Sequence, residues 1–192
     1  MNKIFFAIAC AALLGGCGTP QPAPRLYELR AAPPVTVQPV ASTQVVQLLS
    51  PVRLPELLER DALLMPQGQA GLEALQGHRW AEPLRDAVPR LLRQDLATLL
   101  GEARVWSAPL PAGVAPTRLL RVDVLVLQAN AQRNAVTLQA RWTLSDPAGA
   151  TPPRVELAQI SAHSDGPSPD ALVAAHRLAL WRLAEQIAAA LR

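Results

Sequence analysis

Histidine and cysteine are scarce in this chain, which holds three histidines and two cysteines among 192 residues. The histidines, His78, His163 and His176, are far apart and no cysteine or carboxylate pattern accompanies them, so the sequence predicts no metal site. His176 falls on an apolar helical stripe, where a partly buried structural histidine is the more frequent role.

Sequence motifs of the common enzyme classes are also missing. The chain has no Gly-x-Ser-x-Gly elbow, no glycine loop with a lysine for phosphate and no dinucleotide fingerprint. A polar cluster at Ser161, His163, Ser164 and Asp165 resembles a hydrolase set in composition only. Successive strand residues alternate between faces and cannot converge as a nucleophile and its base must. We therefore expect no catalytic residues and no enzymatic activity.

Neither a basic block nor a membrane-spanning run is present. Lys3 is the one lysine among 18 basic residues, which face 15 acidic ones, so the formal net charge is only +3. This near balance gives no indication of a nucleic-acid partner. A spanning helix needs about 20 apolar residues. The apolar run from Ile4 to Leu14 is too short for that.

The first sixteen residues have the form of a signal peptide, with Lys3 ahead of the apolar run and small residues after it. Leu14-Gly15-Gly16-Cys17 has the form of a lipobox, which predicts cleavage before Cys17 and a diacylglycerol and an N-acyl chain on that cysteine. The alternative is an ordinary signal peptide followed by a chance cysteine. That cysteine would be a free thiol in an oxidising compartment, which is uncommon.

Cleavage before Cys17 would also remove Cys10, so the mature chain would have one acylated cysteine and no disulfide. Several acyl chains make membrane attachment effectively permanent. Position two of the mature chain is Gly18 rather than the aspartate associated with inner-membrane retention. We therefore expect a location at the periplasmic face of the outer membrane, with the inner membrane as the alternative.

The chain divides into three parts on this interpretation. Residues 1–16 form the signal peptide, and residues 17–25 form the lipidated cysteine and a proline-rich, extended tether. Residues 26–192 form one folded domain, a length that suits a single core.

Hydrophobic periodicity predicts an α+β domain in which a mostly antiparallel sheet packs against two main helices. A helix over 82–100 contains Pro89, which should bend it. A second helix follows Ser168 as cap and Pro169 in the first turn. The predicted strands are 26–30, 44–54, 117–128, 135–144 and 154–162. A short helical turn and a hairpin are expected over 57–75.

The run Arg79-Trp80-Ala81-Glu82-Pro83-Leu84 is the densest local constellation, just ahead of the first helix. Two roles are open. Trp80 can hold the entry angle of the helix while Glu82 favours the helix dipole. Alternatively, Arg79, Trp80, Glu82 and Pro83 form a docking surface, because tryptophan and arginine are favoured interface anchors.

Taken together, these motifs make the chain resemble the ABC-type transport auxiliary lipoprotein family, whose members include the PqiC-like proteins (the paraquat-inducible protein C family). The resemblance rests on the lipobox at Cys17, Tyr27-Glu28-Leu29, the stretch over 51–60, the run from Arg79 to Leu84, and the final alanine-rich helix. It extends over most of the mature chain, and the run from Arg79 to Leu84 is its most specific part.

The resemblance implies a non-catalytic accessory of an envelope transporter that moves phospholipid or another hydrophobic substrate between the inner and outer membranes. Its permease, its ATPase and a periplasmic MCE-type subunit would be separate chains. The implied partners are a membrane, through the lipid anchor, and that MCE-type protein, while self-association into a homo-oligomer stays open. The alternative function is a periplasmic lipid carrier with its own apolar cavity.

Overall fold

The computed structural model describes residues 23–30, 32–35, 42–68 and 70–191. Within them the chain forms two α-helices, two short 3₁₀-helices and eight strands. The α-helices are α1 (Leu84–Leu100) and α2 (Pro169–Ala189), and the 3₁₀-helices are Glu56–Glu59 and Glu102–Arg104. The strands are β1 (Arg25–Tyr27), β2 (Val46–Leu48), β3 (Ala62–Gln67), β4 (Gly71–Trp80), β5 (Val105–Ser107), β6 (Arg118–Ala129), β7 (Ala135–Ser145) and β8 (Arg154–His163).

The strands form two sheets. The larger sheet has the order β5-β2-β6-β7-β8 and the smaller one β1-β4-β3. The long strands pair antiparallel, whereas the three-residue strands β1, β2 and β5 make parallel pairs. The predicted α+β class is confirmed. There are two sheets rather than the one expected, and these are mostly but not wholly antiparallel, because short strands far apart in sequence pair in parallel.

The core lies between the inner face of the larger sheet and the two helices. The side chains of β7 alternate as predicted, with one set fully or almost fully buried: Val136, Leu138, Ala140, Trp142 and Leu144. The stripe predicted on the last helix is buried too: Leu172, His176, Leu180, Leu183, Ile187 and Leu191. These matching apolar faces hold α2 on the sheet through burial of aliphatic surface.

The N-terminus of α2 forms as predicted. The Ser168 hydroxyl oxygen accepts a hydrogen bond from the Ala171 backbone N–H at 3.2 Å, and Pro169 occupies the first turn. Helix α1 begins at Leu84, not Glu82, because Pro83 has extended backbone angles and occupies the N-cap position. Pro89 lies within α1 without ending it. The bend expected there stays a prediction.

Other boundaries differ from the sequence prediction. The strand predicted over 44–54 is three residues long, although Arg53 still makes a bridge to Asp123 beyond it. The hairpin expected within 57–75 forms over Ala62–Gln67 and Gly71–Trp80, so its second arm extends five residues beyond the prediction. Strand β5 was not predicted, because three residues carry too little periodicity to identify a strand.

Residues 1–22 lie outside the described part of the chain, and so do the signal peptide, Cys17 and most of the predicted tether. Among the residues that are described, no helix combines the length and apolar character needed to cross a bilayer.

Candidate functional site

The run from Arg79 to Leu84 is the junction between the smaller sheet and the first helix. Strand β4 ends at Trp80 and α1 begins at Leu84. The Trp80 N–H donates to the Asp61 carbonyl at 2.8 Å, and the Ala81 N–H donates to the Tyr27 carbonyl at 2.8 Å. Backbone bonds to two separate segments therefore set the direction in which the chain enters α1.

The side chains of this run point in different directions. Trp80 is 8% exposed, and its ring meets the edge of the His176 ring from α2 at 5.7 Å between centroids and 73° between planes. Arg79, its neighbour on the strand, is exposed. Aromatic pairs favour such edge-to-face geometry. Trp80 therefore packs the junction onto the last helix, and Arg79 is left available at the surface.

Glu82 and Pro83 complete the run near the surface. The Glu82 carboxylate pairs with the Arg90 guanidinium two turns along α1. Both side chains are partly solvated, so the pair contributes on the order of 1 kcal/mol or less. Pro83 makes no side-chain capping bond. The docking role predicted for Arg79, Trp80, Glu82 and Pro83 stays a prediction.

A second contact holds β1, the first strand of the domain, against the same region. The Tyr27 ring stacks on the His78 ring with centroids 5.6 Å apart, and the Tyr27 hydroxyl lies 2.9 Å from His78 Nδ1. The two residues belong to β1 and β4, which pair in parallel. The segment that follows the predicted tether is thus fastened to the folded domain at its first strand.

The two helices are joined by a buried ion pair between Asp95 of α1 and Arg177 of α2. Arg177 Nη1 donates to Asp95 Oδ2 at 2.8 Å, and Nη2 donates to Oδ1 at 2.5 Å. The Arg177 side chain is 5% exposed and the Asp95 side chain is 1% exposed. Arg177 Nε also donates to the Arg30 carbonyl at 2.7 Å. One guanidinium therefore links α1, α2 and the segment after β1.

Burial raises the pKa of the Asp95 carboxyl to about 6, and the hydrogen bonds and positive charge of Arg177 oppose that rise. The carboxyl is therefore ionised at neutral pH. A forked, bidentate geometry is the strongest that a guanidinium and a carboxylate can adopt. It compensates two charges that would each be costly to bury alone.

His176, beside Arg177 in sequence, is buried and neutral. Its Nδ1 lies 2.7 Å from the Leu172 carbonyl oxygen, which can only accept, so Nδ1 carries the proton. Burial lowers the pKa of His176 to about 4, against a smaller opposing effect of that hydrogen bond. The ring is a neutral packing partner for Trp80 at physiological pH.

The remaining polar residues singled out in the sequence do not converge. Ser161 and His163 point outward from β8, while Ser164 is buried and its hydroxyl donates to the Gly166 carbonyl at 2.7 Å. Within the described ranges, no group of three or more metal-ligating side chains comes together.

Sequence reasoning missed the Asp95–Arg177 pair, although a signal for it was present. Asp95 occupies a position on the apolar stripe of α1, seven residues after Val88 and four after Leu91. A carboxylate at a core position of an amphipathic helix indicates a buried cation beside it, because an unpaired buried charge is very costly. Only the structure identifies that cation, because the partner lies 82 residues further along the chain.

Comparison with known proteins gives a family and a fold. Residues 27–188 match the model of a family described as the ABC-type transport auxiliary lipoprotein component. No curated protein matches the sequence.

Two solved structures share the fold. One, of an uncharacterised protein, is 16% identical with a TM-score of 0.70, covering 89% of this chain and all of the other. The second is a DUF330 protein from Xanthomonas campestris, 17% identical with a TM-score of 0.65, covering 85% of this chain and 92% of the other.

The buried ion pair gives a stability prediction. Asp95→Leu removes the negative charge beside the buried Arg177 and should lower the free energy of unfolding by about 3–5 kcal/mol. The double variant Asp95→Leu/Arg177→Met replaces both charges with apolar groups and should recover much of that loss. Urea denaturation of the wild type, Asp95→Leu, Arg177→Met and the double variant measures both effects. Independent, additive losses from the two substitutions would contradict the pairing.

His176 gives a pH prediction. Because its pKa is lowered to about 4 from an ordinary 6.5, neutral His176 stabilises the fold fully above pH 6.5. That contribution is lost as the pH falls through 6.5 toward 4, by on the order of 3 kcal/mol.

The matched comparison is His176→Gln, which cannot titrate. The stability difference between the wild type and this variant should shrink as the pH is lowered, as measured by urea denaturation at each pH. Asp95 titrates with the opposite sign, since its raised pKa makes its contribution fall as the pH rises from 3.8 to about 6. Asp95 is present in both proteins, so its contribution largely cancels in the stability difference between them. A pH-independent difference would contradict the neutral buried state.

Proposed function

The chain belongs to the family of ABC-type transport auxiliary lipoprotein components, and from that premise we propose that it is a lipid-anchored, non-catalytic accessory of an envelope transporter. The observation that carries the proposal is the family match over residues 27–188. The lipobox ending at Cys17 lies ahead of the matched region, where an anchor for the folded domain belongs.

The mechanism that we propose is positional. Acyl chains on Cys17 hold one end of the chain in a bilayer, the prolines after it set the reach, and the folded domain docks a separate transport subunit beside that membrane. The outer membrane is the proposed location. A periplasmic MCE-type protein is the proposed partner, with phospholipid or another hydrophobic molecule as the transported substrate.

The small crevice beside Trp80 supports a docking role over a carrier role, whereas the larger depressions, of about 310 to 700 Å³, are lined in part by exposed charged residues. The apolar crevice beside Trp80 and His176 has only about 20 Å³ of free volume. That is room for roughly one water molecule. That volume is too small for an acyl chain. Mass spectrometry of the purified protein for bound lipid tests the carrier alternative.

Cys17 gives the direct test of the anchor. Cys17→Ser should abolish acylation and release the protein from the membrane fraction, because no other residue carries the lipid. Cys10→Ser is the matched control, since Cys10 lies in the part of the chain removed by cleavage, and it should stay acylated and membrane-bound. Intact mass and membrane fractionation measure both. Acylated, membrane-bound Cys17→Ser protein would contradict the proposal.

Arg79 gives the test of docking at the β4–α1 junction. Arg79→Glu reverses an exposed charge and should lower co-purification of the periplasmic subunit several-fold, with the stability of the domain nearly unchanged.

Arg104→Glu is the matched control, because Arg104 lies beyond the opposite end of α1, about 25 Å away along a helix of seventeen residues. Equal capture of the subunit by the wild type and by both variants would exclude the junction as the docking surface.

A further inference from the structure

The larger sheet has one covered face and one open face. Helix α2 packs on the inner face of β6, β7 and β8, where their buried side chains point, and α1 packs against α2 and β5. The other face, here called the outer sheet face, carries the alternate residues of the same strands. Its rows follow from the strand register: Arg121 with Thr143 and Val155, and Asp123 with Arg141 and Leu157.

The outer sheet face carries three exposed aliphatic residues among polar ones such as Gln159 and Ser161. Leu125 is 40% exposed, Val155 57% and Leu157 54%. These are three of the six exposed large hydrophobic residues among those described. The solvated face of an antiparallel sheet is normally polar. The grouping of these aliphatic residues on one face makes that face a candidate interaction surface.

The charges between these aliphatic residues are mainly positive. Arg121 and Arg141 are exposed, and Arg53 is 69% exposed in its side chain. The carboxylate of Asp123, only 21% exposed, lies among them with its Oδ1 3.8 Å from Arg53 Nε. Three guanidinium groups against one carboxylate leave the face cationic. Arginine stems can lie along an apolar surface while their heads reach anions.

We propose that the outer sheet face rests on an anionic phospholipid surface, with Leu125, Val155 and Leu157 at the level of the head groups and the arginines against the phosphates. Exposed aliphatic residues combined with arginine are the features by which proteins bind such surfaces without crossing them. The proposal goes beyond the proposed function by giving the domain a fixed orientation. It draws on the proposed Cys17 anchor only for a high local concentration of lipid.

A second copy of the chain added to the edge of β8 fits the same face less well. The Ser164 N–H donates toward β7, to the Asn134 carbonyl, so the backbone groups of the odd-numbered residues of β8 point away from β7. The Ser161 carbonyl already accepts a hydrogen bond from Arg182 Nη1 at 2.6 Å, so this part of the edge is occupied by the chain's own side chain. Edge pairing would also leave Leu125, two strands further in, uncovered.

Lipid-borne quenching measures which face meets the bilayer. A single fluorophore is placed at Leu157→Cys on the outer sheet face or at the exposed Ala174→Cys on α2, each in the full chain. Each protein is mixed with vesicles of phosphatidylcholine alone or with phosphatidylglycerol added, both containing a head-group quencher. The unsubstituted chain treated with the same dye gives the background from its own cysteines.

The expected result is quenching several-fold stronger at position 157 than at 174 in the anionic vesicles. The difference should largely disappear without phosphatidylglycerol, at 1 M salt where the screening length is about 3 Å, or in the double variant Arg121→Gln/Arg141→Gln. Equal quenching at both positions would overturn the proposal. So would protection of position 157 from both lipid-borne and water-soluble quenchers, since that would mean that protein covers the face.

The anchor and the face are tested separately. Flotation with phosphatidylcholine vesicles reports the acyl anchor alone. A protein that fails to float there and still shows stronger quenching at position 157 in anionic vesicles would contradict the anchor and support the face. A protein that floats and is quenched equally at positions 157 and 174 would support the anchor and contradict the face.

Discussion

The buried pair between Asp95 and Arg177 is the contact on which the arrangement of this domain depends. Each charge would be too costly to bury alone, so neither helix can take its place without the other. Arg177 also donates to the Arg30 carbonyl and so includes the segment after β1 in the same contact. His176, the residue before Arg177 on α2, packs on Trp80, the last residue of β4 ahead of α1. Adjacent positions of one helix therefore hold the segment after β1, the junction and the first helix in place.

This construction suits a protein that acts by its position. The core between sheet and helices is filled by aliphatic side chains together with Trp142 and Trp181, and the crevice beside Trp80 is small. Strand β1 is fastened through the contact between Tyr27 and His78, and the segment after it through the bond from Arg177 to the Arg30 carbonyl. These contacts connect the proposed anchor to the folded domain.

Periodic and capped elements could be predicted from the sequence, and contacts between distant residues could not. Strand β7 and helix α2 have long apolar repeats, and Ser168 and Pro169 mark a helix start, so both elements were predicted nearly to their ends. The three-residue strand β5 carries too little pattern, and its parallel pairing with β2 depends on partners far along the chain. The same limit applies to the candidate site. Composition singled out the run from Arg79 to Leu84, but whether Trp80 points inward depends on His176, almost a hundred residues later.

Hydrogen exchange with and without phospholipid tests most directly whether the domain is a rigid docking body. Core amides of α1 near Asp95 and of α2 near Arg177 should exchange only through global unfolding, with one shared free energy. Added phospholipid should leave those rates unchanged, and any protection should fall on the outer strands of the larger sheet. Faster, local opening between the two helices that phospholipid suppresses would contradict the account, because it would mean that lipid enters the core.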